Sequence, residues 1–164
     1  MQTTIEHLGR ILLAKKESIS VAESVTGGYI QFLLSSFPKA QQFFQGGITA
    51  YNAGQKSLHL KVDPLEAART NSVSIAIASK MAATVATLFL SEWSIGVTGF
   101  ATPPDHAPPE NPYCYYSIWY KKQELITVEL MAEEHTGVAA QQYFASSILT
   151  KLLETTELVY HDSR

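Results

Sequence analysis

Seven residues, Ala22-Glu23-Ser24-Val25-Thr26-Gly27-Gly28, form the densest polar cluster of the chain. They stand where a short β-branched run gives way to helical spacing. In an open α/β sheet that junction borders the ligand crevice. The first turn of a helix offers unpaired N–H groups and a partial positive charge, which hold phosphates and oxyanions. A serine placed there is a nucleophile with donors already around it. The same pattern also fits a plainer role, with Ser24 or Thr26 capping the helix and the glycines turning the chain.

A second cluster is Gly46-Gly47-Ile48-Thr49-Ala50-Tyr51, with Lys56 five residues on. Tyr51 falls at the C-terminal end of an expected strand, on the same edge as Ser24 if the two strands are parallel. Lys56 lies about one helical turn beyond. A serine–lysine pair can replace serine–histidine, provided the lysine is neutral when it takes the proton. An ordinary lysine titrates near 10.4, so only about one in 2,500 is neutral at pH 7. Lowering that value to about 7 takes roughly 4.6 kcal/mol, from burial or a neighbouring cation. The alternative is a solvated lysine and a tyrosine packed at a sheet edge. A third cluster, Thr98-Gly99, ends another expected strand as pocket rim or simple turn.

These residues need elements to hold them. Thr3 with Glu6 reads as a capping box, and Ile5, Leu8, Ile11 and Leu12 recur at helical spacing, so a helix is expected over 4–16. Strands are expected at 18–22, 46–51 and 93–97, and helices at 26–36, 52–60 and 72–90, with a short piece opening at Asp63-Pro64. Residues 100–112 hold five prolines and cannot be regular. Strands at 113–120 and 124–130, joined by Lys121-Lys122-Gln123, read as a hairpin. A last helix spans 136–154, and the tail from Thr155 is expected to fray. Strands alternating with helices, then a hairpin, make an α/β protein: a three-layer α/β/α sandwich with a mixed, partly parallel sheet. Tyr113, Tyr115, Tyr116, Trp119 and Tyr120 put bulk on both faces of one strand, which is either doubly covered or part of a subunit contact.

Composition bounds the rest. The chain of 164 residues makes one domain, able to bury roughly 70% of its unfolded surface. Twelve Lys and Arg against 15 Asp and Glu give a net charge of −3, with no basic stripe to grip a nucleic acid. A single cysteine, Cys114, excludes a disulfide framework and cysteine-cluster metal sites. The five histidines (7, 59, 106, 135 and 161) are scattered and read as structural or solvated. The amphipathic N-terminal pattern is not a signal peptide, and no run of about 18 apolar residues would span a membrane. The expected location is cytoplasmic.

In their order and spacing the clusters 22–28, 46–51 with Lys56, Val73-Ser74 and Thr98-Gly99-Phe100-Ala101 resemble the C-terminal domain of CinA, the competence/damage-inducible protein family. The resemblance covers about 5–153. Stand-alone members of that family are nicotinamide-nucleotide amidases, so it implies an α/β/α fold and hydrolysis of the carboxamide of nicotinamide mononucleotide. It implies Ser24 as nucleophile, Lys56 as base and then acid, and Tyr51 as assisting hydroxyl. Glu23, Thr26, Gly27, Gly28, Gly47, Thr98 and Gly99 would bind substrate. The partners implied are a small pyridine nucleotide and further copies of the chain, with no nucleic acid and no membrane, and the implied reaction requires no metal and no cofactor. Two departures stand out. Thr102 and the stretch Pro104 to Pro109 replace a glycine-rich loop, and the final helix begins without the arginines the family places there, no Lys or Arg occurring between Lys122 and Lys151. These departures leave open a non-catalytic nucleotide-binding or interaction module, or an amidase for an unphosphorylated substrate.

Overall fold

The computed structural model describes residues 1–103 and 110–161. Its elements are α1 (Gln2–Lys15), β1 (Ile19–Glu23), α2 (Tyr29–Ser35), β2 (Phe44–Thr49), α3 (Ala53–Leu60), α4 (Pro64–Arg69), α5 (Ile75–Phe89), β3 (Trp93–Phe100), β4 (Tyr113–Tyr120), β5 (Gln123–Met131) and α6 (Val138–His161). The strands form one sheet in the order β2-β1-β3-β4-β5. β1 pairs in parallel with β2 and β3, while β3–β4 and β4–β5 are antiparallel. The chain is therefore α/β with a mixed, partly parallel sheet between helices.

Strand alternation decides what each face carries. Ile19 and Val21 of β1, with Trp93, Ile95 and Val97 of β3, face one way. They pack with Ile5, Leu8 and Leu12 of α1, Ile30 and Leu34 of α2, and Phe144, Ile148 and Leu152 of α6. The opposite face meets α5, where Ile77, Met81 and Val85 join Ala22, Leu60 and Val62. On β3 that face reads Ser94, Gly96, Thr98. The Ser94 hydroxyl donates to the Ala82 carbonyl at 2.9 Å. A Cβ on Gly96 would stand 2.2 Å from the Ala78 oxygen and 2.5 Å from the Ala82 nitrogen. The α5 backbone thus lies directly on the sheet, which only glycine permits.

Four local expectations are corrected. The capping box does not form, because α1 starts at Gln2 and places Thr3 and Glu6 inside the helix; Glu6 instead accepts from Gln2 at 3.2 Å. Thr98-Gly99 is no turn: β3 continues to Phe100 because β4 supplies partners, Tyr115 for Thr98 and Cys114 for Gly99. Gln123 belongs to β5, so the hairpin turns on Lys121 and Lys122 alone, both left-handed at φ 47° and 68°, the backbone that matches strand twist in a two-residue turn. Nor does the tail fray at Thr155. Helix α6 runs on to His161, with Thr155 and Thr156 buried and the Tyr160 hydroxyl donating to Glu17. The irregular stretch expected at 100–112 falls partly on 104–109, outside the described residues, as does His106.

Candidate active site

Ser24 follows the last residue of β1, at the edge where the chain leaves for β2 on one side while β3 lies on the other. That is the crevice position of an open sheet. The turn behind it is built on Glu23. This carboxylate is wholly buried (0% exposed) and accepts from the Thr26 hydroxyl at 2.6 Å and from the backbone N–H groups of Gly28, Ile30 and Gln31 at 3.1, 3.1 and 2.9 Å. A charged acceptor with four donors makes strong hydrogen bonds and fixes the opening turn of α2. Gly27 and Gly28 adopt the left-handed backbone that lets the chain reverse over it, at φ 61° and 99°. Gln141 of α6 stitches the same turn from outside, donating to the Val25 carbonyl at 2.9 Å.

Lys56 arrives from α3. Asn52 caps that helix by accepting from the Gln55 N–H at 3.0 Å, and Lys56 follows one turn later. Its side chain points inward, and the residue is only 3% exposed. Nζ donates to the Ser72 carbonyl at 3.4 Å. Burial pushes its pKa down to about 8. At pH 7 about one amine in ten is then neutral, against one in thousands for a free lysine.

The Ser72 carbonyl has a second donor, the Thr98 hydroxyl at 2.7 Å. It is aimed by an unusual turn between α4 and α5. Asn71 and Ser72 are both left-handed, at φ 50° and 62°. Such a backbone costs a residue other than glycine roughly 1 kcal/mol. Hydrogen bonds from both sides hold it. The Ser72 N–H donates to the Ala67 carbonyl at 2.7 Å, and the Ser74 hydroxyl both caps α5 at the Ile77 N–H (3.2 Å) and donates to Glu66 at 3.1 Å.

These parts meet around one cavity of about 370 Å³, lined by Ser24, Tyr51, Lys56, Ser72, Gly99 and Thr102 among others. That is the size range of small-ligand pockets. Ser24 is 4% exposed. Among the described residues no side-chain polar atom is sealed in without a partner. Among the described residues the Ser24 hydroxyl has no hydrogen-bond partner, so it opens onto the cavity. Tyr51 stands on the outer wall, 69% exposed.

Of the ten residues singled out in the sequence, Ser24, Lys56, Tyr51 and Gly99 share this cavity. Gly99 is held to glycine by β4, since a Cβ there would lie 2.3 Å from the Tyr113 oxygen. The other six do not line it. Glu23 is sealed beneath the turn, and Thr98 is spent on Ser72. Thr26, Gly27 and Gly28 border a separate hollow of about 310 Å³ with Phe32 and Gln141. Gly47 lets β2 approach, a Cβ there falling 2.3 Å from the Val21 oxygen. Ser72, Asn71 and Asn52 line the cavity without having been anticipated. Asparagine just before a helix, and asparagine between two helices, were the signals available.

The family model of the CinA C-terminal domain matches residues 1–155. The chain belongs to the CinA C-terminal domain family. A CinA-like protein of Thermosynechococcus vestitus is 38% identical over 96 residues, 58% of this chain and 23% of that protein. Another, from Prochlorococcus marinus, is 41% identical over 103 residues, 62% of this chain and 24% of that protein. The chain thus spans about a quarter of the length of these curated CinA relatives. The crystal structure of the competence damage-inducible protein A (ComA) of Klebsiella pneumoniae superposes with a TM-score of 0.85 at 21% identity, covering 93% of this chain and 94% of that one. The competence or damage-inducible protein of Enterobacter asburiae gives 0.84 at 20% identity, covering 94% and 97%. At such identities these structures establish the CinA fold and not a shared reaction.

Proposed function

We propose that the chain is a serine amidase that hydrolyses the carboxamide of nicotinamide mononucleotide to nicotinic acid mononucleotide and ammonia. The observation that carries this reading is the buried Lys56, its pKa lowered to about 8, on the same cavity as an unpaired serine hydroxyl. Neutral Lys56 takes the proton as Ser24 Oγ attacks the carbonyl carbon. The tetrahedral adduct collapses as Lys56 gives that proton to the nitrogen, and ammonia leaves. Water then attacks the ester on Ser24, with Lys56 again holding the proton until Oγ departs. Tyr51, on the outer wall of the same cavity, would supply the assisting hydroxyl.

The test is ammonia release from nicotinamide mononucleotide. Ser24→Ala should abolish it, by about 1,000-fold or more, while the protein stays folded. An unchanged rate would refute the mechanism.

One observation favours a second reading, an amidase for an unphosphorylated carboxamide. Among the described residues lining the cavity Lys56 is the only charged one, and no Lys or Arg occurs between Lys80 and Lys121 or between Lys122 and Lys151. A missing charged hydrogen bond weakens binding by about 10- to 150-fold. A higher kcat/KM for the nucleoside than for the mononucleotide would decide for it. The proposal extends to a cytoplasmic, self-associating protein, for which light scattering should give a mass above the 18.1 kDa of one chain. No helix among the described residues is long and apolar enough to cross a membrane.

A further inference from the structure

Ser72 holds a position that glycine would occupy without strain. Its φ of 62° lies in the left-handed region, and its carbonyl would serve Lys56 and Thr98 equally well from a glycine. The serine side chain is therefore not needed for that backbone task. Its hydroxyl has no hydrogen-bond partner among the described residues, although the residue is only 7% exposed. As no polar side-chain atom among the described residues is sealed in without a partner, this hydroxyl opens onto the cavity that Ser72 lines. Besides the exposed hydroxyls of Tyr51 and Thr102, the cavity thus carries two unpaired hydroxyls on buried residues, and of these two the proposed reaction uses only Ser24.

The side of the cavity matters. Lys56 Nζ is bonded to Ser72's own carbonyl, so the Ser72 hydroxyl belongs to the wall beside Lys56. Any nitrogen that Lys56 is to protonate must approach the same wall. We infer that the Ser72 hydroxyl accepts a hydrogen bond from the N–H of the substrate's carboxamide nitrogen, and so selects amides over esters of the same acid. This rests on the amidase reading of the site. An ester has the same carbonyl and no N–H, and a hydroxyl reading the nitrogen leaves it ungripped.

The experiment compares nicotinamide mononucleotide with the methyl ester of nicotinic acid mononucleotide, on the wild type, Ser72→Gly and Ser72→Ala. Loss of one neutral hydrogen bond should lower kcat/KM for the amide about 5- to 10-fold, mainly through KM. Ester hydrolysis should stay within about twofold, and the Tm of Ser72→Gly should equal or exceed that of the wild type. Equal losses on both substrates would overturn the inference, since they would place the hydroxyl on the shared carbonyl or in the scaffold. So would no loss at all. Ser72→Ala keeps the Cβ, so a fall confined to Ser72→Gly would assign the effect to backbone freedom and overturn it as well. If the wild type hydrolyses neither compound, the amidase reading fails by itself and calorimetry decides for Ser72. Preferential binding of the amide, lost in both variants, would uphold the contact; equal or absent binding would overturn it.

Discussion

Lys56 works against the fold it sits in. A lysine with a folded pKa of about 8 and an unfolded value near 10.5 binds fewer protons folded than unfolded between those limits. Stability therefore rises with pH through that window, and below it the buried ammonium carries its full cost. Replacing the charge should help: Lys56→Met is expected to gain on the order of 2–3 kcal/mol at pH 7, with the gain vanishing above about pH 10.5. Thermal melts at pH 7 and 10.5 check this. The same variant should lose ammonia release. In the wild type, kcat/KM should climb through about pH 8 and level off, as a base must be neutral to act. A rate that falls across pH 7–9 would remove Lys56 from that role. At this scale the sequence was legible in part. Residue type and spacing were enough to single out Ser24 and Lys56, and both line the same cavity. Glu23, which the family resemblance implied to bind substrate, is instead sealed beneath the turn, because alternation along β1 turns its side chain away from the cavity. Ser72 went unread because its value comes from a backbone angle and two donors distant in the chain.

Elements were easier to read than their ends. The apolar spacing in α1, α5 and α6 follows from what each must bury, and that spacing is written locally. Ends depend on partners. Thr98-Gly99 extends β3 only because β4 lies beside it. The last turns of α6 persist because of Glu17, which is 143 positions from Tyr160. The half-buried carboxylate of Glu17 accepts from the hydroxyls of Tyr160 and Tyr120, the Trp93 indole and Lys121. Burial, the largest single influence, pushes its pKa up, but these donors together hold it below the ordinary value. Its contribution is thus present at neutral pH and lost as pH falls through the folded pKa. Tyr160→Phe removes one of these donors and should cost about 1–2 kcal/mol, a fall in Tm of roughly 3–6 °C. Amide exchange should quicken over 155–161 and nowhere near Ser24. A Tm unchanged at neutral pH would show that the end of α6 is held by packing alone.

Over the whole molecule, the sheet divides the interior into two apolar layers, and Cys114 lies in the larger, wholly buried on β4. Burial pushes its thiol far up, so the reactive thiolate is suppressed as well as shielded. Alkylation of native protein should therefore be governed by unfolding, and its rate should rise in parallel with destabilising substitutions such as Tyr160→Phe. Labelling as fast as that of a free thiol would mean that the β4 layer opens locally.

The contact at Gly96 reaches further than packing. With α5 seated on bare backbone, the start of that helix and the turn that leads into it cannot slide or swell relative to β3. Ser72, Thr98 and Gly99 are thereby locked into a single block. Tyr51 and its neighbours, standing largely in solvent, carry no such restraint. A lineage that acquires a new substrate on this scaffold would find most room at 51–53 and 100–102, since on the opposite jaw side chains can be exchanged but the backbone cannot shift without moving a helix off its sheet.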